Sequence, residues 1–326
     1  LKFIVIDELH TYRGVFGSHI AQVFRRMNRI IEHYGGSPQY MACSATIPNP
    51  EEFAETLTGL PFEVVRSSGA PEPDRHFIFI NPTVSPYTET VSLIKRLLEN
   101  DLKVIAFTKS RKITELIHTW IIQQNPAFAP YVSSYRAGFL PEERRTIEKD
   151  LFEGRIRAVI STSALEVGID IGGLDACILV GYPGTIINTW QRGGRAGRGD
   201  SPALIMLLAQ QDALDQYFMK NPNDFFARGC ENAVLDPFNK PILKAHLPCA
   251  ASELGISQTE RFFDFRKIAP ALGELVHSGE LLRGDADGVY FSSRRRPHRF
   301  VDIRSVGEGY TILEKGTKKI IGQVSG

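Results

Sequence analysis

The sequence has few cysteines and no apolar run of membrane length, and each shortage removes a class of protein. The four cysteines among 326 residues are Cys43, Cys177, Cys230 and Cys249. They lie far apart and form no CxxC pair, so neither a structural zinc site nor the disulfide framework of a small secreted domain is indicated. No segment is apolar over the roughly 20 residues that a membrane span needs. We therefore expect four reduced thiols in a cytoplasmic protein with no membrane partner.

The sequence also lacks an excess of either charge, because it contains 38 Lys and Arg and 37 Asp and Glu, which gives a net charge of +1. Any binding to nucleic acid must therefore be argued from local features. The chain begins inside an apolar run, with Leu1, and shows no signal-peptide pattern. We expect it to be a fragment of a longer protein, with enough residues for roughly two domains.

Strand and helix patterns alternate as far as about residue 210. Apolar runs predict strands at residues 1–7 and 39–43, each followed by a helix. After a proline-containing stretch, further strands are predicted at residues 76–80, 103–107, 131–135, 158–161, 176–180 and 203–208. Alternation of this kind predicts a parallel sheet covered by helices on both faces, with functional residues at the carboxyl ends of the strands.

The first helix carries apolar side chains at helical spacing, which predicts its buried face. These residues are Ile20, Val23, Phe24, Met27, Ile30, Ile31 and Tyr34. Arg25, Arg26 and Arg29 are then expected on the solvated face. Gly35 and Gly36 are expected to end the helix.

The pattern changes after about residue 210. Helices are predicted at 242–254 and 266–278, and a hairpin at 279–291. Helices followed directly by a hairpin indicate a winged helix. Residues 300–326 combine short strands with glycine turns and predict the start of a truncated β-rich domain.

A basic tract follows the predicted hairpin and contains Arg294, Arg295, Arg296, His298 and Arg299. Beside a winged helix, such a tract can contact the backbone of a nucleic-acid duplex. A solvated run of charges is the alternative.

Asp7 and Glu8 stand where the first strand ends, followed by Leu9 and His10. Two adjacent carboxylates suit a nucleotide site, where one holds Mg²⁺ through water and the other orients or deprotonates the attacking water. Solvated loop carboxylates with no such role are the alternative.

Three arginines recur at every third position of residues 191–198, separated mainly by glycine and alanine. They are Arg192, Arg195 and Arg198. Arginine stabilises the charge that spreads over a phosphoryl group in the transition state, and small neighbours leave room for the ligand. A surface arginine cluster that binds nothing does not explain the interleaved glycines.

Hydroxyl groups follow two other predicted strands. Residues 162–171 offer Thr162 and Ser163, then Gly168 and Asp170, and this segment suits strand phosphates and a nucleotide ribose. An ordinary strand-to-helix loop is the alternative. Residues 107–111 place hydroxyls and cations at a helix N-terminus, which suits either a phosphate or a simple helix cap.

Taken in order, these segments resemble the motifs of the superfamily-two DEAD/DEAH-box helicases. Residues 7–10 resemble motif II, 44–46 motif III, 107–110 motif IV, 162–171 motif V and 191–198 motif VI.

Residues 7–19 are most similar to the MrfA/YprA-type DNA-repair helicases, and residues 69–71, 76–80 and 168–175 fit that group too. The resemblance implies ATP-dependent unwinding of DNA, with 3′-to-5′ movement on single-stranded DNA and at duplex junctions. The family also carries a four-cysteine zinc site, and the required cysteines are absent here, so no zinc is expected.

The implied architecture is α/β: a RecA-like parallel sheet domain with a partial first RecA-like domain, then a winged helix and a short truncated β-rich segment. The expected divisions are 1–66 for the C-terminal part of the first RecA-like domain, 67–86 for a linker and first strand, 87–222 for the second RecA-like domain, 223–299 for the winged helix, and 300–326 for the β-rich segment.

The resemblance also implies a role for each matching residue. Asp7 would bind Mg²⁺ through water and Glu8 would activate water. Arg195 and Arg198 would reach the γ-phosphate of ATP, and Arg198 is the better candidate for the arginine finger. The remaining nucleotide contacts would come from Gly168, Asp170 and Gln191.

Two further groups of residues are implied by the same motifs. His10, Ser44 and Thr46 would couple the state of the nucleotide to the surface that grips the strand. Nucleic-acid phosphates would be held by Thr108, Ser110, Thr162 and Arg136.

No GxxxxGK[ST] sequence occurs in the chain, so the loop that grips the phosphates of ATP is missing from these residues. We expect the fragment to be inactive alone. Three hypotheses stay open for the full protein: a DNA helicase, the same motor acting on RNA or translocating on duplex without separating it, and a nucleic-acid-binding module that hydrolyses nothing.

Overall fold

The computed structural model describes residues 1–67, 69, 74–136, 138–166, 173–197, 202–284, 288–304, 309–313 and 320–325. These residues form two compact units, one joining residues 1–66 to 232–326 and the other holding residues 67–231. Over the described ranges, no helix combines the length and the apolar character that crossing a membrane would require.

The first unit opens with a β-α-β arrangement. Strand β1 (Phe3–Ile6) runs parallel to β2 (Gln39–Ala42), and α1 (Gly14–His33) connects them. Helix α2 (Pro50–Thr58) follows, with its proline in the first turn, where the missing N–H is not needed. The two strands and two helices predicted here are confirmed.

The second unit is built on a six-stranded sheet in which every neighbouring pair is parallel. Its strands are β3 (Arg75–Ile80), β4 (Val104–Phe107), β5 (Val132–Tyr135), β6 (Ala158–Ser161), β7 (Ala176–Val180) and β8 (Ala203–Leu208). Their order in the sheet is β3-β8-β7-β4-β6-β5. The predicted parallel sheet is confirmed, and all strand carboxyl ends lie on one side of it.

Helices cover both faces of this sheet. They are α3 (Pro86–Glu99), α4 (Arg111–Gln124), α5 (Pro141–Phe152), α6 (Ile186–Gly193), α7 (Ala213–Lys220) and α8 (Pro222–Ala227). Because side chains alternate between faces, Ile105 and Phe107 join one buried cluster, while Val104 and Ala106 join the other. The central strands β4, β7 and β8 are therefore apolar throughout, and in β6 only the last residue, Ser161, is polar.

Helices α7 and α8 extend the second unit beyond the point where the sequence pattern changes. With 8 and 6 residues, they contain too few turns for helical periodicity to be recognised. Phe218 of α7 and Phe225 of α8 are nonetheless buried in the core of the sheet.

The predicted winged helix is confirmed in the first unit. Helices α9 (Lys240–Glu253) and α10 (Phe265–His277) precede the antiparallel hairpin of β9 (Leu281–Arg283) and β10 (Tyr290–Ser292). Ile256 adds an antiparallel bridge to Tyr290. The apolar faces of these elements form a single buried cluster.

The residues after the wing form a short β-hairpin and an exposed basic tract. Strands β11 (Gly309–Leu313) and β12 (Ile320–Ser325) pair antiparallel, as expected for a β-rich segment. Within the tract, Arg294 pairs with Glu280 at 3.2 Å and lies over the ring of Phe300. Arg295 is exposed.

The prediction for α1 is wrong about which face is buried. Val23 and Tyr34 are exposed, and the other five apolar residues are only partly buried. The buried side chains are mostly polar: Ser18, His19, Gln22, Arg25, Asn28 and Arg29. The physical reason is that α1 packs its polar face on α2 and α9, where Asn28 donates to the carbonyl of Thr58 and Arg29 to that of Ala250.

Arg25, Arg26 and Arg29 were expected on a wet face, and this is also wrong. Arg25 donates to the carbonyls of Ala21 and Thr56, and burial lowers its pKa to about 10. Arg26 pairs with Glu253.

Arg29 is the most heavily bonded of the three. It is 2% exposed, donates to the carbonyls of Ala250, Leu254 and Gly255, and pairs with Glu260 at 2.7 Å. Removing one partner of such a buried pair costs about 3–5 kcal/mol, so Arg29 fixes the winged helix to α1.

A buried histidine pair lies beside these arginines. His19 Nδ1 is 2.9 Å from His246 Nε2, and Arg26 Nη1 is 3.2 Å from His246 Nδ1. Because a guanidinium only donates, His246 accepts at Nδ1 and carries its proton on Nε2, which it donates to His19. Burial, reinforced by the positive charge of Arg26, lowers the pKa of His246 to about 3.

This histidine predicts a loss of stability in mild acid. The unfolded chain protonates His246 near its ordinary pKa of 6.5, whereas the folded chain does so only near 3. Stability is therefore complete above the unfolded pKa and declines as the pH falls below it. We expect His246 to account for about 2 kcal/mol of lost unfolding free energy between pH 7.5 and pH 5.

Urea unfolding at both pH values measures the effect in wild type and in His246→Gln. The variant should lose correspondingly less stability in acid. His298→Gln, at an exposed position, is the matched control and should follow wild type. Equal pH dependence in wild type and His246→Gln would contradict the assignment.

Candidate functional site

The two carboxylates of motif II follow β1 in a tightly held turn. Glu8 has the left-handed backbone conformation, with φ of 50°, which is uncommon outside glycine. Asp7 Oδ1 accepts the N–H of Glu8 at 2.9 Å, and the Glu8 carbonyl accepts the hydroxyl of Thr11 at 2.8 Å. Such strain is found where a fold must hold a side chain in one position. Asp7 is exposed and Glu8 half-buried.

His10 connects motif II to motif III within the same unit. It is 5% exposed, and its Nδ1 accepts the N–H of Ala45 at 3.2 Å. The carboxylate of Glu8 also approaches this nitrogen, at 3.5 Å. Ser44 and Thr46, on either side of Ala45, are exposed. The structure thus brings the three predicted coupling residues together.

Motif IV caps helix α4 after strand β4. Ser110 Oγ accepts the N–H of Ile113 at 3.3 Å, so Ser110 is the N-cap. Thr108 is 2% exposed, and its hydroxyl lies 2.7 Å from that of Thr114 and 3.1 Å from the carbonyl of Ser110. Ser110 is therefore presented at the surface, whereas Thr108 shapes the loop from inside.

Asp215, which the sequence did not single out, holds three strand ends together. It is fully buried and accepts the N–H of Tyr182 after β7 at 3.0 Å and of Gln210 after β8 at 2.7 Å. Lys109 of motif IV lies 3.9 Å away and also approaches Asp212 at 3.6 Å. Burial raises the pKa of Asp215, with the hydrogen bonds and Lys109 opposing the shift.

Glu166 of motif V holds two arginines of motif VI. Its carboxylate accepts from Arg192 Nε and Nη2, each at 2.9 Å, and both side chains are about nine-tenths buried. Its backbone carbonyl accepts from Arg195 Nε at 3.0 Å and Nη2 at 2.6 Å. Arg195, predicted to reach phosphate, is here attached to motif V. Gln191 is half-buried and lies beside Arg192 on α6.

The remaining predicted residues of this unit are dispersed. Thr162 is half-buried and begins the short turn of motif V. Arg136 pairs with Glu115 at 2.8 Å and lies 4.7 Å over the ring of Phe139, so its charge is partly balanced within the unit.

Three predicted residues, Gly168, Asp170 and Arg198, lie outside the described residues. In the part of the chain that is described, no group of three or more His, Cys, Asp or Glu side chains is placed to hold a metal ion.

Three family models match the chain in the order of these elements. The DEAD/DEAH box helicase model matches residues 1–53, the helicase conserved C-terminal domain matches residues 89–200, and the winged helix domain of ATP-dependent helicase HRQ1 matches residues 235–306.

Similarity to individual proteins agrees with the matches to these family models. The ATP-dependent helicase YprA of Bacillus subtilis is 40% identical over 96% of this chain and 43% of its own length. A crystal structure of the DUF1998 helicase MrfA bound to DNA has a TM-score of 0.87 and 40% identity, covering 100% of this chain and 48% of that one. The same helicase with DNA and AMPPNP gives 0.85 and 39%, with coverages of 100% and 47%.

The fold, the ordered motifs and these matches place the chain in the superfamily-two helicase family, in its DEAD/DEAH-box class. Within that class, the chain belongs to the MrfA/YprA type. It spans less than half the length of the relatives described above.

Asp215 predicts a measurable contribution to the stability of the second unit. Asp215→Ala removes the acceptor of two backbone N–H groups, and each buried donor left unsatisfied costs about 1–3 kcal/mol. We expect the free energy of unfolding to fall by about 3 kcal/mol in urea at neutral pH. Glu99→Ala, at an exposed carboxylate of α3, is the control and should change it by less than about 0.5 kcal/mol. Equal stability of the two variants would show that Asp215 does not hold the strand ends.

Proposed function

We propose that this chain supplies motifs II to VI of an ATP-dependent DNA helicase that moves 3′ to 5′ on single-stranded DNA in DNA repair. The observation that carries the proposal is the attachment of the motif VI arginines Arg192 and Arg195 to Glu166 of motif V. Arginines fixed at strand ends suit a developing phosphoryl charge, whereas a solvated cluster needs no such support. The MrfA structures bound to DNA and to AMPPNP support the choice of DNA and ATP.

ATP with Mg²⁺ fits the side chains of motif II. The exposed carboxylate of Asp7 suits a cation that keeps part of its water shell. Glu8, strained and held beside it, would orient the attacking water. Gly168, Asp170 and Gln191 would contact the nucleotide, and Arg195 and Arg198 would stabilise charge on its γ-phosphate.

The contacts of motifs II to V also support coupling between the state of the nucleotide and the binding of nucleic acid. His10, hydrogen-bonded to Ala45, would pass changes at motif II to Ser44 and Thr46. Ser110 and Thr162 would bind strand phosphates, with Thr108 supporting the loop and Arg136 in a secondary position. Duplex junctions are the expected sites of action.

Hydrolysis is proposed for the full-length protein. These 326 residues contain no GxxxxGK[ST] sequence, and the β- and γ-phosphates of ATP are held by such a loop in motors of this kind. By themselves, these residues are expected to bind ATP weakly and to hydrolyse none.

Unwinding assays on full-length protein test the function. Tailed duplexes of DNA and of RNA, each with a 3′ or a 5′ tail, are incubated with ATP and with AMPPNP. We expect ATP-dependent strand separation of DNA with a 3′ tail. Separation of RNA alone would favour an RNA helicase, ATP hydrolysis without separation a duplex translocase, and nucleic-acid binding without hydrolysis a binding module. Each of those results would replace the proposal.

Arg198→Ala tests the finger assignment in the same protein. Removing an arginine finger is expected to lower kcat for ATP hydrolysis by about 10³-fold or more, because only the transition state carries the charge that this residue stabilises. The Kd for AMPPNP should change less than threefold. Arg96→Ala, an exposed arginine on α3, should leave both quantities unchanged. Unaltered turnover in Arg198→Ala would remove the finger role.

A further inference from the structure

Glu166 is joined rigidly to the residues proposed to bind strand phosphates. The backbone after Thr162 forms a single 3₁₀ turn, Ser163–Leu165. The N–H of Glu166 closes this turn on the carbonyl of Ser163 at 3.0 Å. Glu166 is only 8% exposed, and Leu165 beside it is in the core. A displacement of Thr162 by a bound phosphate would therefore be transmitted to Glu166.

Glu166 passes this displacement to motif VI by two independent routes. Its carboxylate pairs with Arg192, and its carbonyl accepts two N–H groups of Arg195. The side chain and the main chain of one residue thus hold both arginines. Arg195 donates through Nε and Nη2 to the carbonyl of Glu166 in motif V. The orientation of the Arg195 guanidinium therefore depends on the position of that carbonyl.

Arg192 extends the connection to motif IV. Its guanidinium lies 5.4 Å over the ring of Phe107, the last residue of β4, which directly precedes Thr108. The Cys177 thiol of β7 donates to the Arg192 carbonyl at 3.3 Å. One arginine therefore contacts the segments that bear motifs IV and V, and its own backbone is bonded to the central sheet.

We propose that Glu166 and Arg192 are positioning residues that couple nucleic-acid binding at motifs IV and V to the orientation of Arg195 at the ATP. This role rests on the proposed function. It differs from a contact with ATP or DNA, because neither residue needs to touch a ligand. The low exposure of the pair suits the role, since a charged pair shielded from solvent keeps one geometry more strictly than a solvated one.

The test is a double-mutant cycle in full-length protein, with Glu166→Gln, Arg192→Gln and the double variant. ATP hydrolysis is measured with and without single-stranded DNA, together with the KM for ATP and the thermal midpoint. We expect each single variant to lower the ratio of DNA-stimulated to unstimulated kcat at least tenfold, with KM within threefold of wild type. The double variant should lie within threefold of the single variants, because the two residues act as one unit.

A merely structural role would give another result. Loss of folded protein lowers the stimulated and unstimulated rates together and leaves their ratio intact. Arg192→Lys guards against misfolding, because it keeps a positive charge beside Glu166 but not the paired Nε and Nη2 donors. It should still lower the ratio at least threefold. Asp150→Asn, which disrupts the exposed pair of Asp150 with Arg155 in the same unit, is the control and should keep the wild-type ratio.

Two outcomes overturn the inference, and they are distinguishable. In the first, wild type shows DNA-stimulated hydrolysis, but the Glu166 and Arg192 variants keep the wild-type ratio of stimulated to unstimulated kcat, or the losses of the single variants multiply in the double variant. The coupling role is then wrong and the proposed function stands. If wild type shows no DNA-stimulated hydrolysis, the proposed function fails and the coupling role fails with it.

Discussion

The parallel direction of six strands is the constraint on which the second unit depends. A parallel sheet places every strand's carboxyl end on one side, so loops far apart in sequence become neighbours there. The loops after β4, β6, β7 and β8 carry hydroxyl, carboxylate and cationic side chains, while the strands themselves are mostly apolar because helices cover both faces. The fold thus separates a mainly apolar core from a rim that is rich in polar side chains.

Polar groups on such a rim need partners of their own, and carboxylates provide them. Asp215 accepts N–H groups from the loops after β7 and β8, and Glu166 accepts from Arg192 in the last turn of α6 and from Arg195 just after it. Each uses several oxygen lone pairs at once, which fixes loops that no hydrophobic contact could fix. The rim is therefore held by hydrogen bonds, and its geometry is sensitive to a change in any single acceptor.

The first unit solves a related problem in a different way. Its helix α1 packs a polar face against α2 and α9, and Arg25 and Arg29 satisfy backbone carbonyls there. His246 remains neutral because burial, reinforced by the positive charge of Arg26, lowers its pKa, and Arg26 and His19 occupy its two ring nitrogens. Buried polar contacts of this kind specify one arrangement, since any other would leave a charge unpaired.

Much of the fold and the order of the motifs followed from the sequence alone. Apolar runs located β4, β6, β7 and β8, because a strand buried on both faces is composed mainly of apolar residues. Motif VI was recognisable because three arginines and their small neighbours lie within eight residues. Periodicity failed for α1, where polar side chains are buried, and for the short helices α7 and α8.

The tertiary structure alone decided which charges meet. Glu166 and Arg192 are separated by 26 positions, Arg29 and Glu260 by 231, and no local pattern distinguishes such a residue from a solvated one. Composition and spacing determine elements and short motifs, because these depend on neighbours in the chain. Partners across the fold depend on how elements pack, and that packing made two arginines of a presumed wet helix face into buried ones.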